Sequence, residues 1–315
     1  KISSQSSSQD PKDPDQEMFV HFIDVGQGDS ILIQSPNGST MLIDAGSSTA
    51  GQKVVSYLKK AGISSIDWVV ATHPHEDHMG GMATVIDAFK VKNALDPGVV
   101  HTTQTFERYL DALLDNNVNF VEARSGMKIN FDPNVKVEVL APGNEAGNVD
   151  FNEASVVLKV TYNDISCLLT GDAEKGSEEL MLQRHPNNLK ATFLKVGHHG
   201  SSTSTSQKFL NATNPEVAII QVGANNRYGH PHNETLVKLL NAGVKVVRND
   251  LQGDIIVTTN GKTHSLNVNP VPIIPNPIVV PKPNPAPVLE PIKGTININT
   301  ASKEQLMGII HISEN

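Results

Sequence analysis

At 315 residues and 38% hydrophobic, the chain can bury one sizeable core with residues left over for appendages. Its 25 Lys+Arg against 33 Asp+Glu give a formal net charge of −8, which excludes a domain gripping nucleic acid across a broad basic face and confines any DNA contact to a local patch. A single cysteine excludes an intramolecular disulfide, and no run approaches the ~20 consecutive apolar residues of a membrane-spanning helix.

Residues 1–17 are polar and Ser-rich and read as a disordered spacer of the kind that follows the leader of an exported protein. The expectation is a bacterial protein that is secreted or held at the cell surface, with this spacer as the part that meets the envelope. From residue 18 the pattern turns to alternating and apolar runs, and strands are predicted over 18–25, 30–34 and 40–43, joined by Gly-rich and Pro-Asn-Gly turns. A helix over 52–61 stops at Gly62. A short buried strand over 68–71 then runs straight into Thr72 and His73. Helices over 83–89 and 105–116 follow. The second half reads as strands over 135–140, 155–162, 165–170, 191–196, 217–222, 244–247 and 254–259, with helices over 176–184 and 234–242. Cys167 falls in one of these strands as a small buried residue. Two β-rich halves with interspersed helices predict an α+β fold in which helices pack outside two facing sheets. The folded domain therefore spans 18–269. A Pro-rich, extended linker occupies 270–293, and a segment over 294–315 carries a helix start at Thr300.

The chemistry concentrates at predicted strand ends. His73-Pro74-His75-Glu76-Asp77-His78 places three imidazoles and a carboxylate within six residues, a spacing that a tight loop can fold around metal. Gly80-Gly81 behind it lets the backbone turn sharply. Thr170-Gly171-Asp172 ends an apolar strand, by itself an ordinary turn. Lys195-Val196-Gly197-His198-His199-Gly200-Ser201 again brings histidines to a strand end, and Tyr228-Gly229-His230-Pro231-His232 forms a further histidine-bearing loop.

The first of these motifs resembles the HxHxDH signature of metallo-β-lactamase-fold hydrolases, and the likeness extends from Phe19 to about Asn269. It implies a four-layer αββα sandwich holding two divalent cations, zinc first and manganese as the alternative. By that resemblance His73 and His75 bind the first cation, Asp77 and His78 the second, and Asp172 bridges them. The second cation also takes a histidine from the His198-His199 pair, with His198 favoured and His199 left behind the ligands or against the substrate. Asp77 and His230 are the expected catalytic groups, His230 donating to a phosphoryl oxygen or leaving group. One departure stands out: most family members place a third histidine for the first cation where this chain has Asn152-Glu153-Ala154-Ser155. Asn152 and Ser155 are weak substitutes for imidazole, so the first cation is expected to be held less tightly or to be a harder ion such as manganese. A pair of cations about 3.5 to 4 Å apart lowers the pKa of a shared water towards ~7, which suits phosphoester hydrolysis.

The stretch Asp24-Val25-Gly26-Gln27-Gly28-Asp29-Ser30 resembles the opening of ComEC-type DNA-uptake proteins and of some choline-phosphate esterases. With Leu168 to Glu174, the His-His-Gly-Ser element and Asn226-Arg227-Tyr228-Gly229-His230-Pro231, the chain is most similar to the C-terminal hydrolase domain of the ComEC family, here without a channel segment. Asp24 and Asp29 are expected behind the ligand histidines, and Asn226 and Tyr228 at the substrate. The tail from Ile296 to Met307 resembles the first half of a ComEA-type helix-hairpin-helix DNA-binding module, with His311-Ile312-Ser313 in place of the usual hairpin. These resemblances imply a secreted metal-dependent phosphodiesterase or nuclease with DNA as substrate. A phosphorylcholine or other small-phosphodiester esterase is the first alternative, and a DNA-binding competence accessory with a vestigial metal site is the second. Nothing in the sequence speaks to an oligomeric state.

Overall fold

The computed structural model describes residues 16–273. Residues 1–15 and 274–315, which carry most of the predicted spacer and linker and the whole of the tail segment, lie outside the described residues.

In chain order the first half comprises β1 (Met18–Phe22), β2 (Ile31–Gln34), β3 (Thr40–Ile43), α1 (Gly51–Lys60), β4 (Ser65–Val70), α2 (Glu76–Met79), α3 (Met82–Ala88), β5 (Lys90–Asp96), α4 (Gln104–Asp115) and β6 (Asn119–Glu122). The second half comprises β7 (Lys128–Asp132), β8 (Val135–Ala141), β9 (Val157–Tyr162), β10 (Ile165–Leu169), α5 (Lys175–Arg184), β11 (Phe193–Lys195), α6 (Gln207–Thr213), β12 (Val217–Ile220), α7 (Asn233–Asn241), β13 (Lys245–Arg248) and α8 (Asn249–Gln252). The chain then returns to the first half as β14 (Ile255–Thr259) and β15 (His264–Leu266). One sheet has eight strands in the order β15-β14-β1-β2-β3-β4-β5-β6, and the other has seven in the order β13-β12-β11-β10-β9-β8-β7.

Side-chain alternation sorts these elements into four layers. Val20 and Phe22 of β1, Ile31 and Ile33 of β2, and Met41 and Ile43 of β3 meet Val137, Leu158, Val160, Cys167 and Phe193 of the second sheet in one buried cluster between the sheets. The intervening residues Leu32 and Leu42 face the other way and pack with Val54, Val55 and Leu58 of α1, Val85 and Ile86 of α3, and Phe106 and Tyr109 of α4. Leu168, Leu194, Ala218 and Ile220 likewise face outward onto Met181 of α5, Phe209 and Leu210 of α6, and Leu239 of α7. The result is the helix-sheet-sheet-helix sandwich expected from the sequence. Burial pushes the Cys167 thiol up to about 12, so it acts as a small apolar core residue.

Four strands, β5, β6, β7 and the three-residue β15, escape the sequence reading. In β5 the sequence Lys-Val-Lys-Asn-Ala-Leu-Asp mixes exposed and buried positions without a clean period, and β6 is an edge strand exposed along most of its length. β7 does alternate, yet its five residues carry two charges and an asparagine, too little apolar content to stand out. At the other end, Val271 donates to Val246 O at 2.8 Å, so chain pairing continues just past residue 269.

Each sheet runs antiparallel in one half and parallel in the other: β3, β4, β5 and β6 are parallel neighbours in the first, β10, β11, β12 and β13 in the second. Ligand-bearing loops gather where parallel strands end, because each crossover helix starts there and leaves a crevice between neighbouring strand ends. Here two such edges face each other.

Candidate active site

The loops after β3 and β4 on one sheet and after β10, β11 and β12 on the other supply Asp44, His73 to His78, Asp172, His199 and Gln221. His73, His78, Asp172, His199, Asp29 and Asp44 are all buried. His78 Nε2 lies 3.3 Å from His199 Nε2 and 3.2 Å from Asp172 Oδ2. His199 Nε2 lies 3.4 Å from Asp172 Oδ2 and 3.3 Å from Asp77 Oδ2. On the other side of Asp172, His73 Nε2 lies 3.0 Å from His75 Nδ1, and ligand atoms of His73, His78 and Asp172 sit within 4.8 Å of one another.

Hydrogen bonds behind the rings set which nitrogen carries the proton. The Gln221 carbonyl can only accept, so His199 Nδ1 donates to it at 3.0 Å. His78 Nδ1 faces Asp44 Oδ2 at 2.8 Å. Thr72 donates its hydroxyl to Asp44 Oδ2 at 2.7 Å and must therefore accept from His73 Nδ1 at 3.1 Å. Each Nε2 is thereby left with its lone pair turned into the cluster. Two imidazole nitrogens and the Asp77 and Asp172 carboxylates then converge with no hydrogen to share among them, and Asp172 Oδ1 has no hydrogen-bond partner among the described residues. Without a cation, protons must relieve that crowding. Burial opposes protonation, but the carboxylates of Asp172, Asp44 and Asp29 hold His78 well above the ordinary imidazole range, and Asp172, Asp29 and Asp77 raise His199 to about 9. His73 moves the other way, lowered by burial and by the charge on His78. Neutral imidazoles with hard carboxylates are a donor set that fits divalent zinc or manganese, so the residues present match the group the fold calls for.

Behind the cluster lies a buried cation of the chain's own. Lys195 is fully buried, its ammonium 2.5 Å from Asp29 Oδ2 and 3.7 Å from Asp172 Oδ1, and it donates to Gly171 O at 2.8 Å. Asp29 in turn reaches His199 Nδ1 with its other oxygen at 3.3 Å. The loop carrying Asp29 crosses the histidine loop, with Asp29 N donating to Asp77 O at 3.2 Å. That crossing requires Gly28: a Cβ there would stand 2.1 Å from Asp77 O.

The structure distributes the residues singled out from the sequence unevenly. It is His199 whose Nε2 enters the cluster, where the sequence reading favours His198. His198 Nε2 stands 3.7 Å from Asp172, and its Nδ1 is committed to Glu174 at 2.8 Å. Both histidines adopt left-handed backbone angles, φ 46° and 53°, and this double reversal is what turns the second ring inward. Asp24 is not behind the ligands: it bonds Gly26 N at 3.0 Å and pairs with Lys53, so it shapes its own turn. Asn226 is not among the residues lining the cavity. Its side chain bonds Gly223 O, His230 O, His230 N and Tyr228 N and so builds the rim loop. Ser155 is buried beside the cluster, 3.5 Å from His73 Nδ1 and accepting from Asp172 N at 3.2 Å. Asn152 lies further out, with Tyr228 and His230, in the wall of a cavity of about 300 Å3 whose floor is formed by His75, Asp77, Asp172 and His199.

The sequence reading gives no role to Asp44 or Lys195. Asp44 follows an apolar strand just as Asp172 does, and a lysine inside Phe193-Leu194-Lys195-Val196 is a charge where only apolar residues belong; either signal suffices to find them. Gln27 also joins the site. Its Oε1 accepts from Gly223 N at 3.2 Å, while Nε2 is buried at the cavity wall without a partner among the described residues.

Comparison with known proteins agrees with this geometry. The family described as "Metallo-beta-lactamase superfamily" matches residues 23–223. The chain is 33% identical over 269 residues to ComE operon protein 3 of Bacillus subtilis, covering 80% of this chain and 34% of that protein. It is 33% identical over 241 residues to Competence protein ComA of Neisseria gonorrhoeae, covering 76% of this chain and 32% of that one. The chain thus spans about a third of the length of these curated relatives. Among solved structures, the metallo-beta-lactamase fold protein YhfI from Bacillus subtilis superposes with a TM-score of 0.54 at 13% identity, over 77% of this chain and 100% of that one, a likeness of fold alone.

Proposed function

The chain belongs to the metallo-β-lactamase superfamily, and from that premise we propose that it is a metal-dependent phosphodiesterase that hydrolyses DNA. The observation that carries this reading is the convergence of two groups of buried metal-ligating side chains that share His78, one with His73 and Asp172 and the other with Asp29 and His199, beside a polar cavity lined by Asp77, Asp172 and His199. His73 and His75 with Asp172 would hold one divalent cation, and Asp77, His78 and His199 with Asp172 the other. When bound, such a pair brings the pKa of a water to around neutrality and neutralises charge on a phosphodiester.

The chain's own groups bind and orient. Burial, together with neighbouring His199, His198 and His232, lowers His230 to about 4, so at neutral pH it is an uncharged imidazole. Its Nδ1 is buried without a partner among the described residues and is available to a phosphoryl oxygen or a leaving group. Gln27 Nε2, also lining the cavity and without a partner among the described residues, offers a second hydrogen-bond donor. Support for DNA comes from the two competence proteins among the relatives, while the net charge of −8 confines any contact with a polyanion to a local patch. Export is part of the proposal and rests on the Ser-rich composition of residues 1–17; cell fractionation tests it.

Protein reconstituted with zinc or manganese should cleave linear DNA in preference to a phosphorylcholine ester, and Asp172→Ala should abolish cleavage. Turnover of neither substrate, or undiminished turnover by Asp172→Ala, would refute the reading.

A further inference from the structure

Of the large hydrophobic side chains most exposed among the described residues, Tyr228 is the one that also lines the cavity. The residue is 48% exposed, and its ring lies nearly parallel to that of His230, with centroids 5.6 Å apart and planes 23° apart. The Arg227 guanidinium sits 5.0 Å from the ring centre and donates to the phenol oxygen at 2.8 Å. The loop beneath is not slack. Asn226 ties four backbone groups of residues 223–230, and His232 Nε2 meets Tyr228 O at 3.2 Å. An aromatic ring held on a braced loop has already lost the freedom that binding would otherwise take from it.

We propose that this rim is a subsite for one unpaired nucleobase, so that the substrate is single-stranded nucleic acid, read by stacking on Tyr228 with Arg227 taking an adjacent phosphate. The inference rests on the phosphodiesterase reading above. Every base has a π-face, so stacking holds a strand without regard to sequence. Inside a duplex each face is covered by the neighbouring base pair, and an exposed ring at the rim finds nothing to stack on. The charge distribution agrees. Glu76, Asp77 and Asp172 line the cavity of a chain with net charge −8, so a broad phosphate grip is unavailable and a contact with a base face replaces it. Arg227 also separates this substrate from a choline ester, because a guanidinium over the ring repels a quaternary ammonium that would otherwise sit on it.

The test compares a natural 12-mer of single-stranded DNA with 12-mers carrying an abasic tetrahydrofuran unit beside the cleaved bond, using the full chain loaded with manganese. Tyr228→Ala should raise KM on the natural strand about tenfold, Tyr228→Phe should restore it, and the alanine variant should lose nothing further on the abasic strand. Equal losses on natural and abasic strands, or a KM within twofold of the original for Tyr228→Ala, overturn the subsite. If the original protein hydrolyses no phosphodiester at all, the functional reading fails by itself. The same comparison is then made on binding, by fluorescence anisotropy of labelled strands with zinc-loaded protein. A tenfold weaker natural strand for Tyr228→Ala upholds the subsite, and an unchanged affinity removes it.

Discussion

His198 and His199 are adjacent in sequence, chemically identical and both at a strand end, so spacing could not separate them. Backbone conformation does. With both residues left-handed, the first ring turns to Glu174 and the second into the cluster. Holding two non-glycine residues there costs about 1–2 kcal/mol each, offset by the bonds of His198 to Glu174 and of His199 to Gln221 O. His199→Ala should therefore leave protein that binds one cation fewer in metal analysis, while His198→Ala keeps both; the opposite pattern would return the ligand role to His198. Lys195 permits a second prediction at this scale. Burial works against its charge, yet Asp29 and Asp172 keep the ammonium above the ordinary amine range. Lys195→Met strands the Asp29 carboxylate and should lower the stability of metal-free protein by about 3–5 kcal/mol in urea titrations. Adding Asp29→Asn should recover at least half of that loss, and no recovery would show that the two groups do not act as a pair.

At the scale of elements, long apolar strands and amphipathic helices were legible because their periods are set by which face is buried, and the metal loop was legible because its donors are consecutive in the chain. The loop crossing was not: Gly26, Gln27 and Gly28 read as a turn, and only the fold shows that Gly28 alone lies against the histidine loop. Gly28→Ala should reduce metal occupancy and stability together. Gly26→Ala has open space around its Cβ and only its positive φ of 78° to oppose it, so it should cost about 1 kcal/mol. Equal effects from the two would mean that backbone angle, not contact, decides. Asp96 at the end of β5 offers a pH test on a buried carboxyl that is not among the candidate ligands. It accepts from Gly98 N at 2.7 Å and from the Tyr109 hydroxyl of α4 at 3.2 Å, and burial raises its pKa to about 6. A carboxyl raised in the folded state favours folding fully below its unfolded pKa and loses that contribution as pH climbs through about 6. Between pH 4 and 6.5 the original protein should thus lose up to about 3 kcal/mol relative to Asp96→Asn. Parallel stability curves for the two proteins would contradict the assignment.

For the molecule as a whole, two halves of similar plan, each antiparallel and then parallel, bring two sets of parallel strand ends face to face, and the site exists only when both are present. That convergence was expected through family resemblance; side-chain periods establish two sheets without saying which edges meet. Nor do local patterns reveal that β14, far along the chain, returns to pair with β1 in register from Met18↔Thr259 to Phe22↔Ile255. This return closes the first sheet over the core. Ile255 and Val257 are wholly buried against the second sheet's cluster, Asp254 Oδ1 accepts from Asp24 N at 2.8 Å, and Asn249 Nδ2 donates to Phe22 O at 3.0 Å. Removing β14 and β15 would uncover an edge of β1 and delete two branched side chains whose burial contributes about 1.5–3 kcal/mol each. Together with the lost ladder that approaches the 5–15 kcal/mol that holds a typical domain folded. A chain ending at Gln252 should therefore fail to fold and bind no metal, although every candidate ligand is retained. One ending at Ile273, which keeps the Val271 to Val246 bond, should melt within a few degrees of the full chain and carry the same metal. Circular dichroism melts and metal content distinguish these outcomes, and a folded, metal-binding chain ending at Gln252 would show that the first sheet does not depend on the returning strands.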